Sequence, residues 1–226
     1  MAPEQPLSAL VVIDYQNIHL TAHGEFSPVG LLKHETLIHP LHFANQVITT
    51  RSNRLAIRSV AQGEPPPRVV QLDRVQVFRG CPSNERSPTA YRRSQAQKSE
   101  WTRDRRVDVT YRTLRYLWDH IKQEYVPSEK GIDVMAALAV VRAADREAHD
   151  IIILASHDSD LEPALEAAVA GPHRDDPKEA PPGRQMSVET AGWSGCRVLR
   201  VPGVQIRHTS LGAVEFVRSR DRKDYT

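Results

Sequence analysis

Two apolar runs in this chain end in carboxylates. Residues 8–14 read SALVVID and residues 151–160 read IIILASHDSD, so Asp14 closes the first run and Asp158 and Asp160 follow the second. A third acid, Asp133, opens a helical stretch just before the second run. Carboxylates packed together raise one another's pKa unless something positive lies among them. A hard divalent cation with oxygen ligands is the simplest resolution. Mg²⁺ uses one or two carboxylates, keeps several waters and takes further ligands from a phosphate. One or two such ions can activate a water, polarise a phosphoryl oxygen and stabilise a leaving oxygen. The chemistry these residue types suit is metal-assisted attack on a phosphodiester.

Each acid also has a plainer reading. Asp133 stands where a helix N-cap belongs. Ser159 and Glu162 spell an S-x-x-E capping box, which would make Asp160 a first-turn acid. Asp14 alone could end a strand in a turn. Lys130 suits either a phosphate contact or solvent. His157 titrates near neutrality when unperturbed, yet a structural role is the simpler assignment for it. Residues 91–106 hold Arg92, Arg93, Lys98, Arg103, Arg105 and Arg106 with Tyr91 and Trp101. Cations that track phosphates and rings that stack on bases suit a single strand. A solvated charged face explains the same stretch equally well.

The elements that must position these residues follow from hydrophobic periodicity. The runs ending at Asp14 and before Asp158 read as strands buried on both faces of a parallel sheet. If both are central, their carboxyl ends meet at one edge, where open α/β sheets bind ligands. Residues 68–78 and 107–114 read as further strands, and 196–201 as the last. Residues 35–55 are helical, with Pro40 near the start. Residues 133–146 form a helix with Val134, Leu138 and Val141 at i, i+4 and i+7. Residues 161–170 form a helix stopped by Gly171-Pro172, and 211–217 a short closing one. Alternating strands and helices predict a three-layer α/β/α sandwich with a mainly parallel sheet. Residues 1–226 then make one domain, with a polar, aperiodic, basic insertion around 80–106, a polar loop around 173–185 and a frayed charged tail, 218–226.

The bulk composition is compatible with this. The 226 residues are 40% hydrophobic and 26% charged, with a net charge of only +2, so a polyanionic partner is not demanded. No apolar run nears the roughly 18 residues of a membrane span, and no secretory signal opens the chain. Cys81 and Cys196 lie far apart without a CxxC pattern, which argues against zinc or a disulfide framework. A cytoplasmic location is expected, and a homo-oligomer is compatible with the sequence.

Three strings together resemble a known family. VVIDYQN, with Asp14 and Asn17, looks like the opening motif of NYN domains, a branch of the PIN-like nucleases. EKGIDV, with Lys130, Gly131 and Asp133, resembles their lysine-glycine-x-aspartate motif. ILASHDSDLEPAL, with Ser156, Asp158, Ser159 and Asp160, resembles their SGDSDF-type motif. The resemblance implies a strand order near 3-2-1-4-5 and a Mg²⁺ or Mn²⁺ site of Asp14, Asp133, Asp158 and Asp160. It also implies that Asn17 supports the site by hydrogen bonding and that the activity is endonucleolytic cleavage of RNA, single-stranded or structured. Lys130 and Ser156, with Arg103, Arg105 and Arg106 from the basic stretch, are the candidate substrate contacts. His157 and Leu161 depart from the glycine and aromatic usual at those positions, which bears on substrate choice. Two alternatives use the same residues: a non-catalytic RNA-binding module on this fold, and a nuclease acting on DNA. A phosphatase of the haloacid dehalogenase kind needs an aspartate at position 16, where this chain has Gln16.

Overall fold

The computed structural model describes residues 4–171 and 186–225. Its centre is two strands, β1 (Leu7–Asp14), apolar from Ala9 to Ile13, and β6 (Ile151–Ala155), apolar throughout. Both lie inside the sheet, so both faces must be apolar. Ala9, Val11, Ile13, Ile151 and Ile153 project into one core, and Leu10, Val12, Ile152 and Leu154 into the other. Around them the sheet runs β3 (Val107–Thr113), β2 (Val70–Cys81), β1, β6, β7 (Ser187–Trp193), β8 (Arg207–Leu211), with every neighbouring pair parallel. The hairpin β4 (Arg115–Asp119) and β5 (Glu124–Ser128) stands apart as a two-stranded sheet.

Helices cover both faces, giving an α/β fold compatible with a three-layer sandwich. On one side lie α1 (Tyr15–Phe26), α2 (Pro40–Gln62), α3 (Pro88–Trp101) and α6 (Ala213–Ser219), which bring Tyr15, Phe43, Trp101 and Phe216 into the first core. On the other side lie α4 (Ile132–Arg146) and α5 (Glu162–Ala170). Pro40 sits in the first turn of α2, where its missing N–H costs nothing.

Several expectations are corrected. The sheet order differs from 3-2-1-4-5, because β8 adds a sixth strand at the edge and a hairpin interrupts the chain between β3 and β6. Residues 196–201 are not a strand; the strand beside β6 is β7, further upstream. Its sequence SVETAGW carries buried Glu189 and Thr190, which disguise it as polar. The aperiodic stretch at 80–106 contains α3, which buries Ser94, Gln97 and Trp101 on one side, so its inward face carries two polar residues and shows no apolar period. The buried stripe of α4 is Ile132, Ala136, Val140 and Ala144; Val134 and Leu138 are exposed. The small alanines let the helix lie close on the sheet. The tail is held rather than frayed: buried Asp221 accepts hydrogen bonds from Trp101 Nε1 and Tyr225 Oη, both at 2.7 Å. Lys223 also pairs with Glu100. The expected loop at 173–185 lies outside the described residues.

Glu189 explains how β7 keeps a charge in the interior. It is fully buried, and Arg51 of α2, itself 5% exposed, grips it through Nε and Nη2 at 2.7 and 2.6 Å. Arg207 of β8 adds a third cationic contact at 2.9 Å. Removing one partner of such a pair leaves an uncompensated buried charge. Arg51→Leu is therefore expected to cost about 3–5 kcal/mol. Arg51→Leu with Glu189→Leu should recover most of that loss, as read from urea midpoints in a double-mutant cycle.

A second stability prediction concerns His19, which is 5% exposed and contacts the Lys33 carbonyl through Nε2 at 2.9 Å. Burial, helped by the nearby Arg79 charge, pushes its pKa down to about 3. The unfolded chain takes up that proton near pH 6.5, while the folded chain does not until about pH 3. Stability from this group is thus complete above pH 6.5 and is lost as pH falls. His19→Gln keeps a donor and cannot titrate. The stability difference between parent and variant should shift by about 2 kcal/mol between pH 7 and pH 5, with the parent losing more.

Candidate functional site

Strand pairing decides where the acids emerge. β1 and β6 run parallel with Ile13 opposite Ala155, so Asp14 and Ser156 come out side by side at the carboxyl edge. Strand order reverses direction between β1 and β6, which makes this the crevice where open α/β sheets bind ligands. An open cleft of about 550 Å³ lies there. Asp14, Glu129, Asp133 and Asp158 line it, together with Asn17 and Lys130.

Asp14 is 6% exposed and accepts a hydrogen bond from Ser156 Oγ at 3.0 Å. The same hydroxyl accepts from the Asp158 amide at 3.1 Å, so Ser156 links the two acids. Burial pushes the Asp14 carboxyl up to about 6. The Ser156 hydroxyl and the Asn17 backbone amide oppose the shift, while Glu129 and Asp158 reinforce it. Asn17 Oδ1 accepts from the His157 amide at 2.8 Å, fixing the loop that carries Asp158. Asp158 Oδ1 accepts from the Asp160 amide at 3.0 Å and so caps the short 3-10 turn Ser159–Leu161.

Glu129 is the site residue that the sequence reading missed. It lies directly before Lys130 in EKGID, and that adjacency was the available signal. Its Oε1 accepts from the Gly80 amide at 2.9 Å. A Cβ at Gly80 would stand 2.4 Å from that oxygen, so only glycine allows the approach. Burial, with Asp133 adding to it, raises the Glu129 pKa; the Gly80 amide and Arg79 oppose this. Gly131 then turns the chain with φ +74°, in the left-handed region that favours glycine, and starts α4. Arg112 packs on it, its Nη1 3.0 Å from where a Cβ would be.

The remaining candidates are relocated. Asp133 is not the N-cap of α4; Gly131 holds that place and Asp133 lies in the first turn, facing the cleft. Asp160 is exposed and is not among the residues that line the cleft, because the 3-10 turn rotates it outward. Ser156 is buried, so it orients Asp14 and Asp158 instead of touching a substrate. The capping box at Ser159 does not form as read, since the Glu162 carboxylate accepts from the Arg200 amide. His157 is structural: its Nδ1 meets the Arg197 carbonyl at 2.8 Å and its Nε2 accepts from the Trp193 amide. Burial lowers its pKa, which favours this neutral form.

The basic stretch is engaged elsewhere. Arg103 pairs with Glu100 and Arg106 with Asp104. Arg105 lines a separate groove with Lys98 and Arg142, and Trp101 is fully buried and unable to stack on a base. None of Arg103, Arg105 and Arg106 lines the acidic cleft.

Among the described residues, no three His, Cys, Asp or Glu side chains stand close enough to cage a metal ion. None of Asp14, Asp133 and Asp158 forms an ion pair with a described residue. The donor set is all oxygen, and the cleft is roomy. Those features fit a hydrated Mg²⁺ or Mn²⁺ ion, which needs only one or two carboxylates and retains its waters. They do not fit a closed cage of the zinc type.

No helix among the described residues is long and apolar enough to cross a membrane. No family model and no curated protein matches the chain. Among solved structures, a protein of unknown function from Vibrio parahaemolyticus is similar at 14% identity with a TM-score of 0.46, over 88% of each chain.

Proposed function

We propose that the chain is a metal-dependent endonuclease that hydrolyses RNA phosphodiester bonds. One observation carries this reading: three segments distant in sequence bring four acids, Asp14, Glu129 with Asp133, and Asp158, to one cleft at the strand-order switch. Carboxylates gathered without an ion-pair partner among the described residues, with Asp14 and Glu129 both held at raised pKa, are a cost that a structural role does not explain. The resemblance of the three acid-bearing strings to NYN domains supports the same assignment.

In this reading Asp14 and Asp158 hold the ion, with Glu129 and Asp133 as further oxygen donors. A divalent cation bound there supplies Lewis-acid stabilisation of the phosphoryl group and lowers the pKa of a coordinated water. Ser156 keeps the Asp14 carboxyl group and the Asp158 backbone in place. Asn17 fixes the backbone at His157. Lys130 and Arg112 neutralise phosphate charge at the rim. The same chemistry cuts DNA, so RNA as the substrate rests on the resemblance.

The spread of the acids and the outward turn of Asp160 favour one second reading, a non-catalytic RNA-binding module. Incubation with labelled single-stranded RNA and DNA in Mg²⁺, Mn²⁺ or EDTA separates the two. Metal-dependent cleavage supports the nuclease, and binding without cleavage in any metal supports the module.

Asp158→Asn keeps an oxygen to cap the Ser159–Leu161 turn and removes one charge. Cleavage should fall by about 100-fold or more, the scale of losing a key electrostatic group. Melting in EDTA should change little. A variant that cleaves like the parent would sink the assignment of Asp158.

Asp14→Asn tests the strain in the site. With a folded pKa near 6 against 3.8 unfolded, the parent's stability is greatest below pH 3.8 and declines as pH rises through 6. At pH 8 in EDTA the variant should therefore be more stable, by up to about 3 kcal/mol. The advantage should vanish by pH 4, where the parent carboxyl is protonated. Mn²⁺ should raise the melting temperature of the parent and leave the variant nearly unchanged.

A further inference from the structure

The β4–β5 hairpin has no counterpart in the sheet and no helix covering it, yet it exposes aromatic rings beside the acidic cleft. A two-stranded hairpin is marginal alone, and this one is tied down at its base. Tyr116 Oη accepts from the Ser83 amide at 3.0 Å, and β5 runs directly into Glu129, which holds the Gly80 amide. Pairing of Tyr116 with Pro127 and Trp118 with Tyr125 places these four on one face. The Trp118 and Tyr125 rings stand 5.1 Å apart at 70°, and the Arg86 guanidinium lies 3.9 Å over Tyr125.

Exposure separates these rings from the other large aromatics. Trp118 is 46% and Tyr125 48% exposed, whereas Trp101 and Trp193 are 0% and 1%. Cations flank the path from the rings to the cleft. Arg86 lies on the aromatic face, Arg112 packs on Gly131, and Lys130 lines the cleft. None of the three forms an ion pair with a described residue. Tyr125 is four residues from Glu129, about 13 Å along an extended strand. Exposed rings interleaved with cations that no described acid neutralises are complementary to unpaired bases on a phosphate chain, and double helices hide the ring faces such a surface needs.

We propose that the β4–β5 hairpin is the strand-holding platform of the cleft. It stacks unpaired bases of single-stranded RNA on Trp118 and Tyr125 while Arg86, Arg112 and Lys130 hold the backbone. This assignment rests on the nuclease reading of the cleft and narrows its substrate to unpaired RNA.

The test uses the full chain in EDTA with a 12-nucleotide unstructured RNA. Because Trp118 is the exposed tryptophan, stacking should quench its fluorescence, and inorganic polyphosphate should not. Trp118→Leu should weaken binding of fluorescently labelled RNA about tenfold, and Trp118→Tyr should restore it, since any ring face stacks. With Mn²⁺, Trp118→Leu should raise KM about tenfold and leave kcat nearly unchanged. Equal quenching by polyphosphate, no quenching by RNA, or parental affinity in Trp118→Leu would overturn the platform. So would tighter binding of a hairpin RNA or of single-stranded DNA. Loss of affinity in both Trp118 variants would mark the residue as a support of the hairpin fold, and would also overturn it. Cleavage that depends on Asp158 but ignores Trp118 rejects the platform alone. Quenching by RNA without cleavage by the parent in any metal rejects the nuclease reading alone.

Discussion

The parallel register of β1 against β6 is the constraint on which the rest of this structure depends. It is set at one end by Ser8 and Asp150, whose side chains and backbones exchange hydrogen bonds of 2.7–3.1 Å. It is set at the other end by Ser156 and Asp14. Between them every residue is apolar and alternates between two cores. A slip of one residue would send each side chain to the opposite face. Asp14 would then lose Ser156, and the loop bearing Asp158 would lose its place beside Asn17.

Two kinds of buried acid show how differently this fold treats charge. Glu189 is enclosed by Arg51 and Arg207, so its charge is matched within the interior and ties α2 and β8 to β7. Asp14 receives a hydroxyl and a backbone amide, with two more acids close by to repel it. The chain thus has the means to neutralise a buried carboxylate and applies them away from the cleft. That contrast separates the acids of the cleft, which have no ion-pair partner among the described residues, from an ordinary internal ion pair, and it is what the metal-site proposal rests on.

The elements beyond the sheet centre serve the cleft in a graded way. Glu129 reaches it only because the hairpin returns the chain over Gly80 and Gly131 turns it into α4. His157 braces the far wall by bridging the Arg197 carbonyl and the Trp193 amide. α3 and the tail act at a distance, through Trp101 and Asp221, and hold the first core closed behind Tyr15.

The sequence by itself determined the centre of the protein. Uninterrupted apolar runs ending in Asp14 and before Asp158 are typical of buried parallel strands, and central parallel strands put their carboxyl ends together. That placed Asp14 and Asp158 at one edge, while Asn17 and Asp133 joined them only through the resemblance of their strings. Tertiary structure decided what local pattern could not encode. Whether Asp160 follows Asp158 into the cleft depends on a single 3-10 turn, and Glu129 joins through contacts with a glycine 49 residues away. β7 escaped notice because Glu189 needs Arg51, distant by 138 residues, to make a charged strand tolerable inside. The arginines of the basic stretch were legible as charge but not as pairs, since an ion pair is a property of two positions in space. Composition records how many charges a chain carries; only the fold decides which remain free for a ligand.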